Sequence, residues 1–300
     1  TECATLKAVC DGECRLRVCA KNDSELPQVI SDLEFSVGGV GNPKFNPYKL
    51  VEALKHTEYD KAENKQKPEP SLLGGISTRS TGKTWISFDK VDFGTEGADT
   101  IHIPIFSFDE ELPFEIWQGN PYAEGSECLV KATYKAPSTY NTYTENVYTL
   151  PKRLFGVHKL GFAFTTGLYF QGFYFDQTKK ALSKLRALDA NVVAGDSFTK
   201  TEKAVEQIGN NVNLDFENMD FGEEGATKIT ICGKSNTENN SINIKFFDKD
   251  GNSTTQLIEF AHTNSYQEKT FDLEKIAGKG KISFVFLPGC NFDFEWFKFW

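Results

Sequence analysis

The sequence predicts an all-β chain of two tandem copies of one β-rich module behind a short β remainder. Three observations carry this: an internal repeat, a Phe-rich composition and the scarcity of Leu/Ala-rich stretches. Ile86 to Ile103 reads ISFDKVDFGTEGADTIHI and Leu214 to Ile231 reads LDFENMDFGEEGATKITI, an offset of 214 − 86 = 128 positions. Nine of these 18 positions are identical, among them Phe88/Phe216, Asp92/Asp220, Gly94/Gly222 and Gly97/Gly225. A second echo pairs KLGFAF from Lys159 with KISFVF from Lys281. The period is about one domain long, so it marks a duplicated module and not a solenoid unit. The 26 Phe suit pleated, half-buried strands, and a single Met fits the same picture.

The elements follow in order. Residues 1–41 read as a hairpin turning at Asp11-Gly12-Glu13 and a third strand, Ile30 to Val37. Cys3, Cys10, Cys14 and Cys19 crowd this stretch, but pairing Cys10 with Cys14 sends Cys3 and Cys19 to the other face. That split argues against one zinc site and for small thiols in a reducing compartment; the odd total of seven Cys argues against a disulfide framework. The first module spans 48–177, with Leu50 to Lys67 read as strand then loop. Clear strands are Trp85–Phe88, Thr100–Phe106, Phe114–Trp117, Glu127–Tyr134, Asn146–Thr149, Lys159–Thr165 and Phe170–Phe175. Ala181, Leu182, Leu185 and Leu188 recur at helical spacing, which predicts a linker helix over 178–189. The second module then runs over 190–300 and ends on a strand, Phe294–Trp300. Trp85 and Trp296, set among apolar residues, are expected in the cores; Trp117, alternating with Ile116, is expected outside.

Charge and hydropathy narrow the partners. A net charge of −9 and no basic cluster exclude a phosphate-gripping nucleic-acid footprint. No apolar run approaches the roughly 18 residues of a membrane-spanning helix. Thr1 is neither an initiator Met nor the start of a signal peptide, so the front end reads as trimmed or cleaved.

Gly74-Gly75, Thr84-Trp85-Ile86-Ser87-Phe88 and Val91-Asp92-Phe93-Gly94 resemble a family 6 carbohydrate-binding module, which implies that the two copies are tandem jelly-roll β-sandwiches of the galactose-binding-like class. Gly289-Cys290-Asn291-Phe292-Asp293-Phe294 is similar to that family's closing loop and strand. The front piece, with Asp11-Gly12-Glu13 and Leu33-Glu34-Phe35, resembles the end of an immunoglobulin-like domain in bacterial family 2 glycoside hydrolases. Together they resemble the C-terminal region of a β-galactosidase or β-glucuronidase-like enzyme, which implies a bacterial cytoplasmic location. The family's acid/base Glu follows an Asn, and this chain has no Asn-Glu dipeptide and no barrel pattern. No catalytic residue is therefore expected in this chain, although the parent would be a glycosidase.

Sugar binding needs an aromatic face for the pyranose C–H surface and directional polar groups for its hydroxyls. The resemblance carries the aromatic role to Tyr266 and the Asn role to Asn291, with Tyr140, Tyr169 and Gln171 as first-module candidates and Trp117 as a further surface aromatic. The same resemblance suggests a structural calcium, to which Glu52, Asp196, Asp293 and Glu295 could give oxygens, but the family's paired opening Glu is absent. No other cofactor is expected, and four dispersed His carry no metal spacing. The expected partners are carbohydrate and the parent's catalytic barrel. A scaffold role, packing on that barrel or supporting a homo-oligomer, stays open, as does a non-sugar ligand such as a flavin.

Overall fold

A computed structural model of the chain describes residues 12–20, 29–39, 44–63, 65–78, 82–135, 142–165 and 167–300. Almost all its regular structure is antiparallel β-sheet. Two separate Phe-rich cores lie between facing sheets, one around Phe88, Phe162 and Phe173, the other around Phe216, Phe284 and Phe297. Rings within each core meet edge to face, as at Phe88–Phe173 (5.0 Å) and Phe216–Phe297 (4.7 Å).

In the first sandwich, one sheet runs Glu127–Lys135, Glu111–Gln118, Val157–Phe164, Thr84–Asp92, Glu58–Tyr59. The facing sheet centres on Ala98–Ser107, flanked on one side by Thr144–Leu154 and on the other by Leu168–Phe170 and Gly172–Phe175. In the second, Val192–Ala194, Val212–Asp220, Lys279–Phe286, Asn239–Asp248 and Ser253–Ala261 form one sheet. Thr199–Lys200, Val205–Ile208, Phe292–Phe299, Ala226–Ser235 and Gln267–Ile276 form the other.

The repeated phrase encodes a strand, a bulge and a turn. Thr84–Asp92 and Val212–Asp220 are superposed by the 128-residue offset, as are Ala98–Ser107 and Ala226–Ser235. Each first strand carries one non-glycine residue in the left-handed region, Lys90 (φ 55°) and Asn218 (φ 56°), where the pairing register slips. After it, Asp92 Oδ1 accepts the Gly94 N–H (3.1 Å) and Asp220 Oδ1 accepts the Gly222 N–H (2.9 Å). Gly156 N–H then bonds Gly94 O, and Gly278 N–H bonds Gly222 O, both at 2.8 Å. The duplicated Asp and Gly are therefore architectural.

Both turn aspartates hold their protons weakly. Asp92 is kept below the ordinary carboxylate range foremost by the Lys44 ammonium at 2.9 Å and then by the Gly94 N–H. Asp220 is lowered foremost by the Gly222 N–H; burial opposes this, and Lys279 (3.4 Å) and Lys179 (3.6 Å) add to the lowering. A depressed carboxylate contributes stability that is complete above its unfolded pKa, about 3.9, and is lost as pH falls through the folded value. The double variant Asp92→Asn, Asp220→Asn keeps the acceptor oxygens and removes the charges. Urea midpoints measured from roughly pH 5 down to pH 2 should fall less steeply in it than in the parent; equal slopes would contradict the assignment.

Several expectations are corrected. Gly12 and Glu13, expected in a turn, are already in the strand Gly12–Ala20, paired with Val37 and Ser36 of Val29–Val37. The strand expected before Cys10, with Cys3 and Cys10 themselves, lies outside the described residues. The predicted linker helix is two three-residue turns, Lys180–Leu182 and Ala187–Asp189, around a short strand, Leu185–Arg186. Leu185 and Arg186 pair with Phe297 and Trp296, because the edge of the closing strand offers more hydrogen bonds than an isolated helix shorter than about 12 residues can retain. This segment repeats the opening of the first sandwich, where Val51–Glu52 pairs with Phe173 and Gly172 and is followed by the turn Ala53–Lys55. Leu50 to Lys67, expected as strand then loop, opens on that short strand and turn and adds a second strand, Glu58–Tyr59. Phe170–Phe175 is broken at Gln171 into Leu168–Phe170 and Gly172–Phe175. Trp85 and Trp296 are half-buried and outside the cores, because their neighbours Ile86 and Phe297 take the inward direction.

Candidate functional site

Four connections of the second sandwich converge on one end: 209–211, 236–238, 262–266 and 287–291. Asparagines tie them together. Asn240 is fully buried, so its amide must be satisfied; its Nδ2 donates to Ser235 Oγ (2.6 Å) and its Oδ1 accepts the Asn291 N–H (2.8 Å). Asn236 donates its Nδ2 to Asn291 Oδ1 (3.0 Å) and its N–H to Asn291 O (3.0 Å). Asn210 Oδ1 takes the Gly289 N–H (2.6 Å). Asn291 itself is exposed. Its oxygens are engaged, and among the described residues none accepts from its Nδ2, which leaves two donor hydrogens on an exposed amide.

Tyr266 precedes the strand Gln267–Ile276 and is half-buried. Register sets its neighbours: Gln267 faces Gly233 and Gly233 faces Phe294, so Tyr266, Lys234 and Asp293 form the next row. The Tyr266 hydroxyl donates to Glu206 Oε1 (2.9 Å), and the Lys203 ammonium lies 4.7 Å from the ring centroid. Burial raises the hydroxyl pKa far above its ordinary value, and the Glu206 acceptor and the Asp293 and Glu295 charges push it further. The phenol is a permanent donor. Its electron-rich face attracts a cation that is itself 61% exposed and can swing away.

The remaining candidates lie elsewhere. Tyr140 lies outside the described residues. Its assignment as the first-module counterpart of Tyr266 is corrected by register: Thr144 faces Ile105 as Gln267 faces Gly233, and 233 − 105 = 128. Tyr143 therefore matches Tyr266, and its hydroxyl donates to Gly74 O (2.6 Å). Tyr169 takes the position of Asp293; its ring packs on Phe106 (5.5 Å) and Phe108 (5.7 Å). Gln171 matches Glu295, and its backbone accepts the Ala53 N–H and donates to Pro104 O. Trp117 is half-buried on the outer face of the other sheet, as its alternation with Ile116 requires. Its Nε1 donates to Glu115 Oε2 (3.0 Å), which also accepts the Tyr122 hydroxyl (2.9 Å). The candidates thus occupy three separate surfaces. Glu206, Lys203, Asn236 and Asn240 were not foreseen; they come from strands and turns remote in sequence, and only the register unites them with Tyr266 and Asn291.

The carboxylates considered for a cation are spread and already engaged. Glu52 faces Lys55 (3.3 Å), and Asp196 accepts from Asn211 Nδ2 (3.1 Å). Asp293 accepts the Gln207 N–H (2.8 Å) beside Lys234, and Glu295 pairs with Lys203 (3.4 Å). Glu295 also accepts the Cys232 thiol, whose pKa is pushed up to about 12 by burial and then by that carboxylate. Among the described residues, no three His, Cys, Asp or Glu side chains are gathered as a metal would need. No helix of the described residues is long and apolar enough to cross a membrane.

Comparison with known proteins bears on the second sandwich. Residues 190–300 match the model of the family described as carbohydrate binding module (family 6). No curated protein matches the chain. Similar solved structures include CsCBM6-3 from Clostridium stercorarium in complex with cellobiose, at 24% identity over 40% of this chain and 93% of that one, TM-score 0.35. A family 6 module from Clostridium cellulolyticum in complex with xylose gives 22% identity over 40% and 98%, TM-score 0.35. A family 43 arabinoxylan arabinofuranohydrolase from Bacillus subtilis in complex with cellotetraose gives 14% identity over 76% and 54%, TM-score 0.33. The stretch 190–300 is accordingly a domain of carbohydrate-binding module family 6.

Proposed function

We propose that the second sandwich binds carbohydrate at its loop end, with Tyr266 as the stacking face and Asn291 as the hydroxyl-directed donor. The supporting observation is the fixed Asn291 amide, whose Nδ2 is left without a protein acceptor among the described residues beside a family match covering this domain. The Tyr266 face that attracts Lys203 is the same face that a pyranose C–H surface would take. The first sandwich is a second, diverged module of the same family, supported by the shared turn and bulge. The whole chain serves as a non-catalytic accessory region of a family 2 glycoside hydrolase, raising the effective concentration of glycan near its barrel.

Calorimetric titration with galactosides, glucuronides, xylo-oligosaccharides and mixed-linkage glucans tests this. Tyr266→Ala and Asn291→Ala should each weaken the neutral sugar that binds by about tenfold or more, roughly 1.4 kcal/mol. A chain that binds no sugar, or variants that bind as the parent does, would sink the reading. The scaffold alternative draws support from Gly12–Ala20 and Val29–Val37, a two-stranded sheet that leaves Leu33 (59%) and Phe35 (39%) exposed on one face. Two strands are marginal alone, and such a face favours cover by another domain.

A further inference from the structure

The junction between the sandwiches holds a groove of about 780 Å³; Lys203, on its rim, also reaches the Tyr266 ring, while Asn291 does not line it. Pro151, Lys152 and Glu127 of the first sandwich line one side; Lys184, Trp296, Glu295, Lys203 and Glu202 line the other. Trp296 faces outward because Glu295 is an extra residue in its strand: Cys232 faces Trp296, while the next residue, Gly233, faces Phe294. The indole is therefore presented to the groove and half-buried along its edges.

The charges of this groove are unevenly satisfied. Lys152 is paired with Glu127, Lys203 with Glu295 (3.4 Å) and Arg186 with Asp189 (2.7 Å). Lys184 is exposed, and among the described residues it meets no carboxylate within ion-pair distance; its ammonium rests 3.8 Å from the Trp296 ring centroid. An adjoining hollow of about 480 Å³ continues past Lys184 to Lys298, which likewise meets no carboxylate and lies over Trp300 at 3.6 Å. Two unpaired ammonium groups beside two indoles stand out in a chain of net charge −9. Trp296 lies in the strand Phe292–Phe299 and Trp300 directly follows it, four residues and roughly 13 Å further along the extended chain.

We propose that this inter-module groove is a second glycan site, selective for sugars that carry a carboxylate. The ring face of a uronic acid residue stacks on Trp296 in the position the Lys184 ammonium now occupies. Lys184 swings aside and pairs with the sugar carboxylate, and Lys298 extends the same preference to the next residue of the chain. A neutral sugar gains the stacking but leaves the ammonium groups unpaired, so charge sets the selectivity. The walls are held at a fixed separation by Arg153 and Lys180, which cross the junction, so the groove is formed before ligand arrives.

The test is titration of the 300-residue chain with tri-galacturonate and with xylotriose, followed by tryptophan fluorescence and calorimetry. Tri-galacturonate should bind, perturb tryptophan emission and weaken as salt rises. Lys184→Gln, at an exposed position that leaves the fold intact, and Trp296→Ala, checked by thermal melting, should each lower its affinity at least tenfold, and Asn291→Ala should leave it unchanged. Failure of tri-galacturonate to bind, or unaltered binding in Lys184→Gln, overturns the proposal. Equal affinity for the two sugars overturns it as well. The loop-end reading fails separately, through neutral sugars and Asn291→Ala.

Discussion

Arg153→Ala should lower the melting temperature of the chain by about 10 °C and expose the segment between the sandwiches to trypsin. The Arg153 side chain is completely buried and is the most heavily bonded in the described structure. Its Nε donates to Glu96 O (2.7 Å), and its two terminal nitrogens reach Gly97 O (2.8 Å), Thr178 O (2.7 Å), Thr178 Oγ1 (3.1 Å) and Ser183 Oγ (3.0 Å). Asp99 stands 3.5 Å away as the counter-charge. Burial lowers the pKa of the guanidinium and the Asp99 charge opposes that; a group that starts above 12 stays charged throughout. Removing it leaves Glu96 O and Thr178 O without the donor they have, while Gly97 O keeps the Tyr48 hydroxyl at 3.1 Å. Uncovering one side of a buried ion pair costs about 3–5 kcal/mol, and in a chain of this size each kcal/mol is worth roughly 2–4 °C.

Arg153→Lys separates the contributions. A lysine keeps the charge near Asp99 but cannot span five acceptors with one ammonium, so its melting temperature should fall between those of the parent and Arg153→Ala. Limited trypsinolysis gives the second readout, since Lys179, Lys180 and Lys184 lie in the segment that Arg153 fastens. Lys180 is 4% exposed in the parent, its N–H bonded to Glu96 and its ammonium to Glu217 O (2.7 Å). An Arg153→Ala chain with unchanged melting and unchanged cleavage would show that the guanidinium does not hold the junction.

What could be read from the sequence, and what could not, divides along the range of the interactions. The duplicated turn was legible because strand, bulge and turn are encoded within 18 consecutive residues, and the offset of 128 fits both copies. The opening strand Leu185–Arg186 was not, because two residues carry no period, and four apolar side chains at helical spacing spoke louder than a strand edge over a hundred residues away. Trp296 was misread for a similar reason. Alternation from Phe294 puts it inward, and only the bulge at Glu295, fixed by pairing with Cys232 and Gly233, turns it out. Tyr266 and Asn291 could be named from local phrases. Their partners Glu206, Lys203, Asn236 and Asn240 are joined to them by sheet register and turn packing, which no local pattern reveals.

Gly225→Ala and Gly97→Ala should each destabilise their own sandwich by several kcal/mol, more than most single substitutions in the chain. Both glycines are in the left-handed region, at φ 72° and 67°, which costs an L-residue about 1 kcal/mol before any contact is counted. A methyl group at 225 would also lie 2.5 Å from Ile276 O, and one at 97 would lie 2.6 Å from Leu154 O and from a ring carbon of Phe155. Neither carbonyl can retreat freely. Ile276 and Leu154 end strands whose register is tied to Ala226 and Ala98, directly after the two glycines. Gly94 and Gly222 provide the internal control: φ is similar, at 61° and 65°, but a methyl at 94 meets nothing within 4 Å and one at 222 meets only the mobile end of Lys179. Their alanine variants should lose no more than the conformational cost, about 1–2 kcal/mol. Urea unfolding of the four variants separates the two causes. If all four lose the same stability, close packing against the strand ends is not what fixed these glycines in both copies. If Gly97 and Gly225 lose markedly more, the duplicated phrase is held in place by backbone contact across each sandwich, independently of ligand binding.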